Sequence, residues 1–208
     1  MAKSRPNLPL LKGAVLSKPD ILTRIENGSL RFSPELGPKA VKQCSIDLRL
    51  APIFTRFRKK ENLHIGSLDI ENVDAAFNAP DLWRIEEDTE TCLLKRGEFV
   101  LSQTLETVTI PLDLMGLVEG RSSWARFGVS VHVTAPKIDP GFSAPITLEL
   151  ANHGSVDILL TAIKNRPCQL MLLTLSTPLD SSAGYGTSAN DIFADQTKPI
   201  PSKRGKNK

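Results

Sequence analysis

From Cys92 to Ser176 the chain runs from one short β-prone segment to the next with no room for helices between them, and this spacing constrains the fold more than any other feature. The segments are Cys92–Leu94, Phe99–Thr104, Glu106–Ile110, Met115–Glu119, Val129–Val133, Ile146–Ala151, Val156–Leu160 and Gln169–Ser176. Turn residues punctuate them at Lys95-Arg96-Gly97, Pro111, Asp139-Pro140-Gly141, Asn152-His153-Gly154 and Asn165-Arg166-Pro167. Upstream, Ser45–Leu50 alternates apolar and polar residues, and Ile53–Phe57 can extend or pair with it. The 15 prolines and 13 glycines favour short elements over long helices. An all-β fold follows, barrel-like or jelly-roll, with one short N-terminal helix.

That helix is announced by Ser17-Lys18-Pro19-Asp20, which supplies an N-cap, an early proline and an acidic third residue in a capping-box arrangement. Ile21, Leu22 and Ile25 share a face, and Asn27-Gly28 ends the helix. With 208 residues the chain can bury one sizeable core. Residues 1–14 read as a flexible arm, 15–180 as the β domain, 181–197 as a C-terminal lid segment and 198–208 as a basic disordered tail. Leu68 to Trp83 reads as an irregular surface insertion carrying short strands.

Charge excludes several classes. The net charge is only +3, and much of the excess sits in Lys198, Lys203, Arg204, Lys206 and Lys208, so no nucleic-acid partner is expected. No window reaches the ~18–20 apolar residues of a membrane span, and Met1–Gly13 has no long apolar run. A cytoplasmic protein with no membrane partner is expected. Cys44, Cys92 and Cys168 are odd in number and lack CxxC spacing, which points to neither a disulfide framework nor a zinc site.

Residues 119–152 concentrate the chemistry. Arg121 and Arg126 offer forked donors for phosphate or carbonyl oxygens, Ser122 and Ser123 offer hydroxyls, and Gly120 and Gly128 allow close backbone approach. One helical turn over Ser122–Phe127 would bring the two arginines near a shared ligand. Asp139 and Glu149 stand among apolar neighbours that could form a semi-dry pocket and raise their pKa. Asp139 equally suits a plain Asp-Pro-Gly turn, and alternation within Ile146–Leu150 suits an exposed Glu149 as well as a site residue.

His132 lies in an alternating strand and reads as a hydrogen-bonded structural residue rather than a base; His64 and His153 fall in loops with no cysteine pair nearby. The HxE and PCxxC signature of zinc nucleobase deaminases is missing, since Pro167-Cys168 runs into Gln169-Leu170-Met171. Ser181–Ser188 is small-residue chain around the lone tyrosine, Tyr185. It reads as a linker or as a lid hinged at Gly184 and Gly186, whose amides meet phosphates while Tyr185 stacks or hydrogen-bonds.

Taken together, Gly120-Arg121-Ser122-Ser123-Trp124-Ala125-Arg126-Phe127-Gly128, then His132-Val133-Thr134-Ala135, Ile138-Asp139-Pro140-Gly141-Phe142 and Thr147-Leu148-Glu149 resemble, in order and spacing, the motifs of the dCTP deaminase branch of the dUTPase-like superfamily. The opening helix and Ser45–Leu50 extend the resemblance over residues 15–196. It implies a homotrimer of distorted β-barrel or jelly-roll subunits, active sites between neighbours and a C-terminal segment folding over the nucleotide. It also implies zinc-independent hydrolysis of dCTP to dUTP and ammonia. In that scheme Glu149 is the general base and acid, Ser122 and the Ala135 carbonyl hold the water, and Arg126 stabilises developing charge. Arg121, Ser122 and Ser123, with Trp124 and Ala125 in the same motif, meet the triphosphate. Asp139 meets the deoxyribose, Thr147 and Leu148 the base edge, and Tyr185 and Gln196 belong to the lid. Mg²⁺ accompanies the triphosphate, and dTTP is a candidate inhibitor.

The resemblance departs from the family pattern in the lid. Ile192 stands where a phosphate-binding lysine is expected, Phe193 where tyrosine is common, and Ala194-Asp195 where a more basic pair stands, leaving Lys198 as a candidate substitute. Three other functions stay open. They are a bifunctional enzyme carrying dCTP to dUMP and diphosphate, a plain dUTPase, and a non-catalytic trimeric nucleotide-binding regulator.

Overall fold

The architecture follows from which residues the strands turn inward. In the computed structural model, which describes residues 13–57, 83–188, 191, 193–194 and 196–199, Leu48, Leu94, Leu114, Leu148, Leu150, Leu170, Leu172 and Phe54 are all wholly buried in one core. Helix α1 (Lys18–Glu26) opens the chain. The strands are β1 (Arg31–Ser33), β2 (Ile46–Leu48), β3 (Phe54–Phe57), β4 (Trp83–Glu86), β5 (Thr91–Leu94), β6 (Phe99–Thr109) and β7 (Leu114–Gly120). After the one-turn helix α2 (Ser122–Ala125) come β8 (Val129–Ser130), β9 (Lys137–Ile138), β10 (Ser143–Asn152), β11 (Ile158–Thr161) and β12 (Cys168–Thr174). Among the described residues they form a six-stranded sheet ordered β4-β3-β6-β10-β8 with β1 also on β6, a four-stranded sheet β2-β12-β7-β9, and the pair β11-β5. This is the all-β fold expected. No helix among the described residues is long and apolar enough to cross a membrane.

Local chemistry sets the elements. The Asp20 carboxylate accepts from the Ser17 hydroxyl and, at 3.3 Å, from the Ser17 amide, so the expected cap is present. Ile21 is fully buried, but Leu22, expected beside it, is 38% exposed, because the core meets only a narrow stripe of α1. The two strands read as Phe99–Thr104 and Glu106–Ile110 are one strand, β6. The discontinuity is a bulge: Thr107 pairs with Pro145 and Gln103 with Thr147, so Thr104, Leu105 and Glu106 face the single residue Ile146. There β6 turns toward the chain before β3, where Leu105 N–H donates to the Arg49 carbonyl (2.8 Å) and Ala51 N–H to that of Gln103 (2.9 Å). The Thr104 hydroxyl fills the gap, accepting from Ile146 N–H (2.9 Å) and donating to the Glu106 carbonyl (2.7 Å).

The strand read over Val129–Val133 stops at Ser130. Beyond it, the Val131 carbonyl accepts from Glu149 N–H (2.9 Å), and the Val133 amide turns to a side chain instead of a ladder partner. His132 is therefore a loop residue, with Nε2 3.2 Å from the Glu119 carboxylate. Residues 1–12, most of the 68–83 insertion, His64, Ile192, Asp195 and residues 200–208 lie outside the described residues.

The cysteines follow the burial. All three are free: Cys44 is exposed, while Cys92 and Cys168 are buried. Burial pushes the Cys168 thiol up to about 12, with Glu106 and Asp47 adding to the shift. Burial also raises Cys92, against the opposing pull of the Arg56 guanidinium, 3.0 Å away. In the native protein only Cys44 should react with an aromatic disulfide reagent, and the other two only after unfolding. Two thiols titrating at the Cys44 rate would contradict this packing.

Candidate nucleotide cleft

A cleft of about 460 Å³ opens beside the pleated face shared by β10 and β6. On β10 the alternation buries Leu148 and Leu150 and turns Thr147 and Glu149 outward into it; Leu101, the register partner of Glu149, forms the facing wall with Phe99 and Trp83. Ala135, Ile138, Asp139 and Phe142 close one side, and Tyr185, Phe193 and Gln196 lie along the mouth. The cavity is thus mainly apolar and aromatic with a few convergent polar groups, as small-molecule sites tend to be.

Glu149 is half-buried, and its Oε2 accepts from Val133 N–H at 2.8 Å. Main chain thereby fixes one carboxylate oxygen, and among the described residues Oε1 has no hydrogen-bond partner. The side chain is both oriented and available.

Asp139 sits both in the turn and on the cleft wall. Its carbonyl accepts from Phe142 N–H (3.2 Å) in the turn that needs Gly141 at φ 86°, and its carboxylate lines the cleft, paired with Lys137 at 2.7 Å. A side chain at 141 would also press on the Tyr185 amide.

Tyr185 is anchored by its own N–H, which donates to the Pro140 carbonyl (2.8 Å), and its ring packs 5.6 Å from Phe142. Burial, then Asp191 and Asp139, push its phenol above the ordinary range, so near neutral pH it stays a protonated donor. Downstream, Thr147 Oγ1 donates to Gln196 Oε1 at 3.4 Å, and Lys198 pairs with Glu87 at 2.5 Å. Lys198 is thus engaged away from the cleft wall.

The remaining predicted residues lie elsewhere. Leu148 is wholly buried, so only its main chain can meet a ligand. Ser122, Ser123 and Ala125 on α2, and Arg126 just after it, are exposed, Trp124 packs against the core, and none of them lines the cleft. The expected turn at 122–127 forms, with Arg121 as its N-cap and Arg126 as its C-cap. Arg121 is tied back, its N–H donating to the Pro167 carbonyl (3.0 Å), Nη1 to that of Arg166 (3.0 Å), and Nε standing 3.4 Å from Asp47. One chain therefore presents a carboxylate half and a separate arginine–serine half. Trp83, Phe99, Leu101, Phe142 and Lys137 were not foreseen in the site; only the alternation of β6, carried past Leu105, could have placed Phe99 and Leu101 on its wall.

Antiparallel sheets around one core, with a carboxylate-bearing cleft on β10, define a mainly antiparallel β protein with a candidate ligand cleft on its largest sheet. The solved structure of 2'-deoxycytidine 5'-triphosphate deaminase from Agrobacterium tumefaciens shares the fold, with a TM-score of 0.59 at 19% identity over 79% of this chain, which spans 49% of that one. The dCTP deaminase-like family model matches residues 15–175, and the chain belongs to that family. Two similar proteins carry the name "dCTP deaminase, dUMP-forming": one from Methanosphaera stadtmanae (35% identical, 91% of this chain and 93% of the relative) and one from Halobacterium salinarum (37%, 91% and 94%). A relative from Haloarcula marismortui, 38% identical over 91% of this chain and 94% of its own length, is named "dCTP deaminase".

Proposed function

We propose that the protein is a dCTP deaminase that carries its substrate through to dUMP, releasing ammonia and diphosphate. The observation that carries deamination is Glu149, held through one oxygen by the Val133 amide, with the other unpartnered among the described residues, in an aromatic-walled cleft. The dUMP-forming names of the Methanosphaera and Halobacterium relatives favour that product over dUTP release.

In the first step Glu149 takes a proton from a water held by Ser122 and the Ala135 carbonyl. The oxygen bonds to C4 of the pyrimidine, the C4–N4 bond breaks, and the proton returned by Glu149 leaves with ammonia. Arg126 stabilises the charge that develops. In the second step a further water attacks the α-phosphorus and the bond to the bridging oxygen breaks, releasing diphosphate. Because Ser122 and Arg126 do not line the cleft that holds Glu149 in the same chain, a neighbouring subunit supplies them, as the homotrimer reading requires.

Magnesium suits this donor set as an ion carried by the phosphates, whose charge it neutralises. Among the described residues no group of three or more His, Cys, Asp or Glu could hold a metal. Asp139, Thr147 and the Leu148 main chain hold the nucleoside, and Tyr185 and Gln196 cover it.

The purified protein is incubated with dCTP, and separately dUTP, in magnesium buffer, following ammonia, diphosphate and nucleotides. Ammonia and diphosphate should appear together with dUMP. Ammonia with accumulating dUTP would restore the simpler deaminase, diphosphate from dUTP alone the dUTPase, and binding without turnover the regulator.

A further inference from the structure

Asp47 is an acidic side chain with only 4% of its surface exposed, and two cations converge on its Oδ2: Lys42 Nζ at 3.5 Å and Arg121 Nε at 3.4 Å. Both cations keep a solvent face, at 39% and 34% exposure. Each is also fixed by its backbone. Val41 bridges Ile46, and Lys42 N–H donates to the Ser45 carbonyl (2.7 Å), which pins the turn that presents Lys42. Arg121 is held by the carbonyls of Pro167 and Arg166, and its Nη2 has no hydrogen-bond partner among the described residues.

We propose that Lys42 and Arg121, gathered on the buried Asp47, form a two-cation phosphate subsite of the nucleotide site, with Lys42 a binding residue and Asp47 a positioning residue. The proposal rests on the nucleotide reading above. Two cations around one carboxylate leave a net positive charge, and the shared anion lets them sit side by side without repulsion. Arg121 then offers a preorganised forked edge and Lys42 a movable point charge, which together suit adjacent phosphoryl groups. Asp47 itself is too enclosed by these cations to contact the ligand.

The test is calorimetric titration of the full-length protein with tripolyphosphate and with dCTP, alongside dCTP turnover. Lys42→Ala, a change at a half-exposed side chain, should weaken binding of both ligands about three- to tenfold and raise KM, with kcat changed less than twofold. Unchanged tripolyphosphate binding in this variant would overturn the subsite. Asp47→Asn separates positioning from bulk charge, because removing a negative charge should by itself tighten anion binding, whereas disordering the two cations should loosen it. Tighter binding would overturn the role of Asp47, and the Lys42 variant decides the subsite even if the Asp47 variant does not fold. Tripolyphosphate also keeps the two readings apart: a protein that releases no ammonia yet binds it through Lys42 refutes deamination and leaves the subsite standing.

Discussion

Ammonia release from dCTP falls by about 10²–10⁴-fold when Glu149 is replaced by Gln, with little change in thermal stability. Glutamine keeps an oxygen for the Val133 N–H, so the loop that carries Ala135 stays in place, but it cannot take and return a proton. Stopped assays of ammonia, with nucleotide affinity measured in parallel, separate chemistry from binding. A variant that binds dCTP and turns it over at the parental rate would remove Glu149 from the mechanism. Mixing subunits sharpens the test. If the halves of the site come from neighbouring chains, Glu149→Gln and Arg126→Ala subunits are each inactive alone, but after co-refolding they regain activity in the clefts that combine two intact halves, about a quarter under random assembly. No recovery would place Arg126 outside the shared site.

The largest loss of stability is expected from Glu106→Ala. The Glu106 side chain is 1% exposed; Oε2 accepts from Arg49 N–H at 2.9 Å and Oε1 from Arg49 Nε at 2.7 Å, while Arg49 Nη2 reaches the Glu35 carbonyl at 2.9 Å. Removing the carboxylate leaves a largely buried guanidinium and a main-chain donor uncompensated, at a cost of about 3–5 kcal/mol. Replacing both partners with apolar residues of similar volume should cost much less. Denaturant titrations at one protein concentration measure both, since subunit assembly makes stability concentration-dependent. A Glu106→Ala loss below about 1 kcal/mol would mean that solvent reaches this pair.

Most strands from Cys92 onward were legible because Gly97, Pro111, Gly141, Gly154 and Pro167 punctuate them. Strands β1, β4 and β9, of two to four residues each, were not, and the turn between β4 and β5, residues 87–90, carries no such residue. Nor was the continuity of β6 legible, since Ser102, Thr104 and Glu106 face inward where apolar residues would be expected. Each is satisfied by a partner distant in sequence, such as the Ile53 carbonyl for the Ser102 hydroxyl (2.8 Å) and Arg49 for Glu106. The site was legible as residue types: Glu149, Thr147, Asp139, Ala135, Tyr185 and Gln196 do line one cleft. Closeness in sequence does not place Ser122 and Arg126 in the cleft of their own chain, because the turn after β7 leaves them exposed to solvent. The aromatic wall and the Lys42–Asp47–Arg121 cluster were invisible, since each joins segments far apart along the chain and neither has a local spacing.

The hydroxyl of Thr104 does the work of main chain. Pro145 has no N–H to give and Ile146 gives its own to that hydroxyl, so the fold at this point depends on one side chain keeping an acceptor and a donor. The constraint falls on evolutionary variation rather than on chemistry. Serine can replace Thr104, but valine of the same shape leaves two buried groups unpaired, and a lineage that loses the hydroxyl must also reshape the bulge. Positions 104, 145 and 146 should therefore vary as a set, and a change there reaches the cleft, because Pro145 and Ile146 line it.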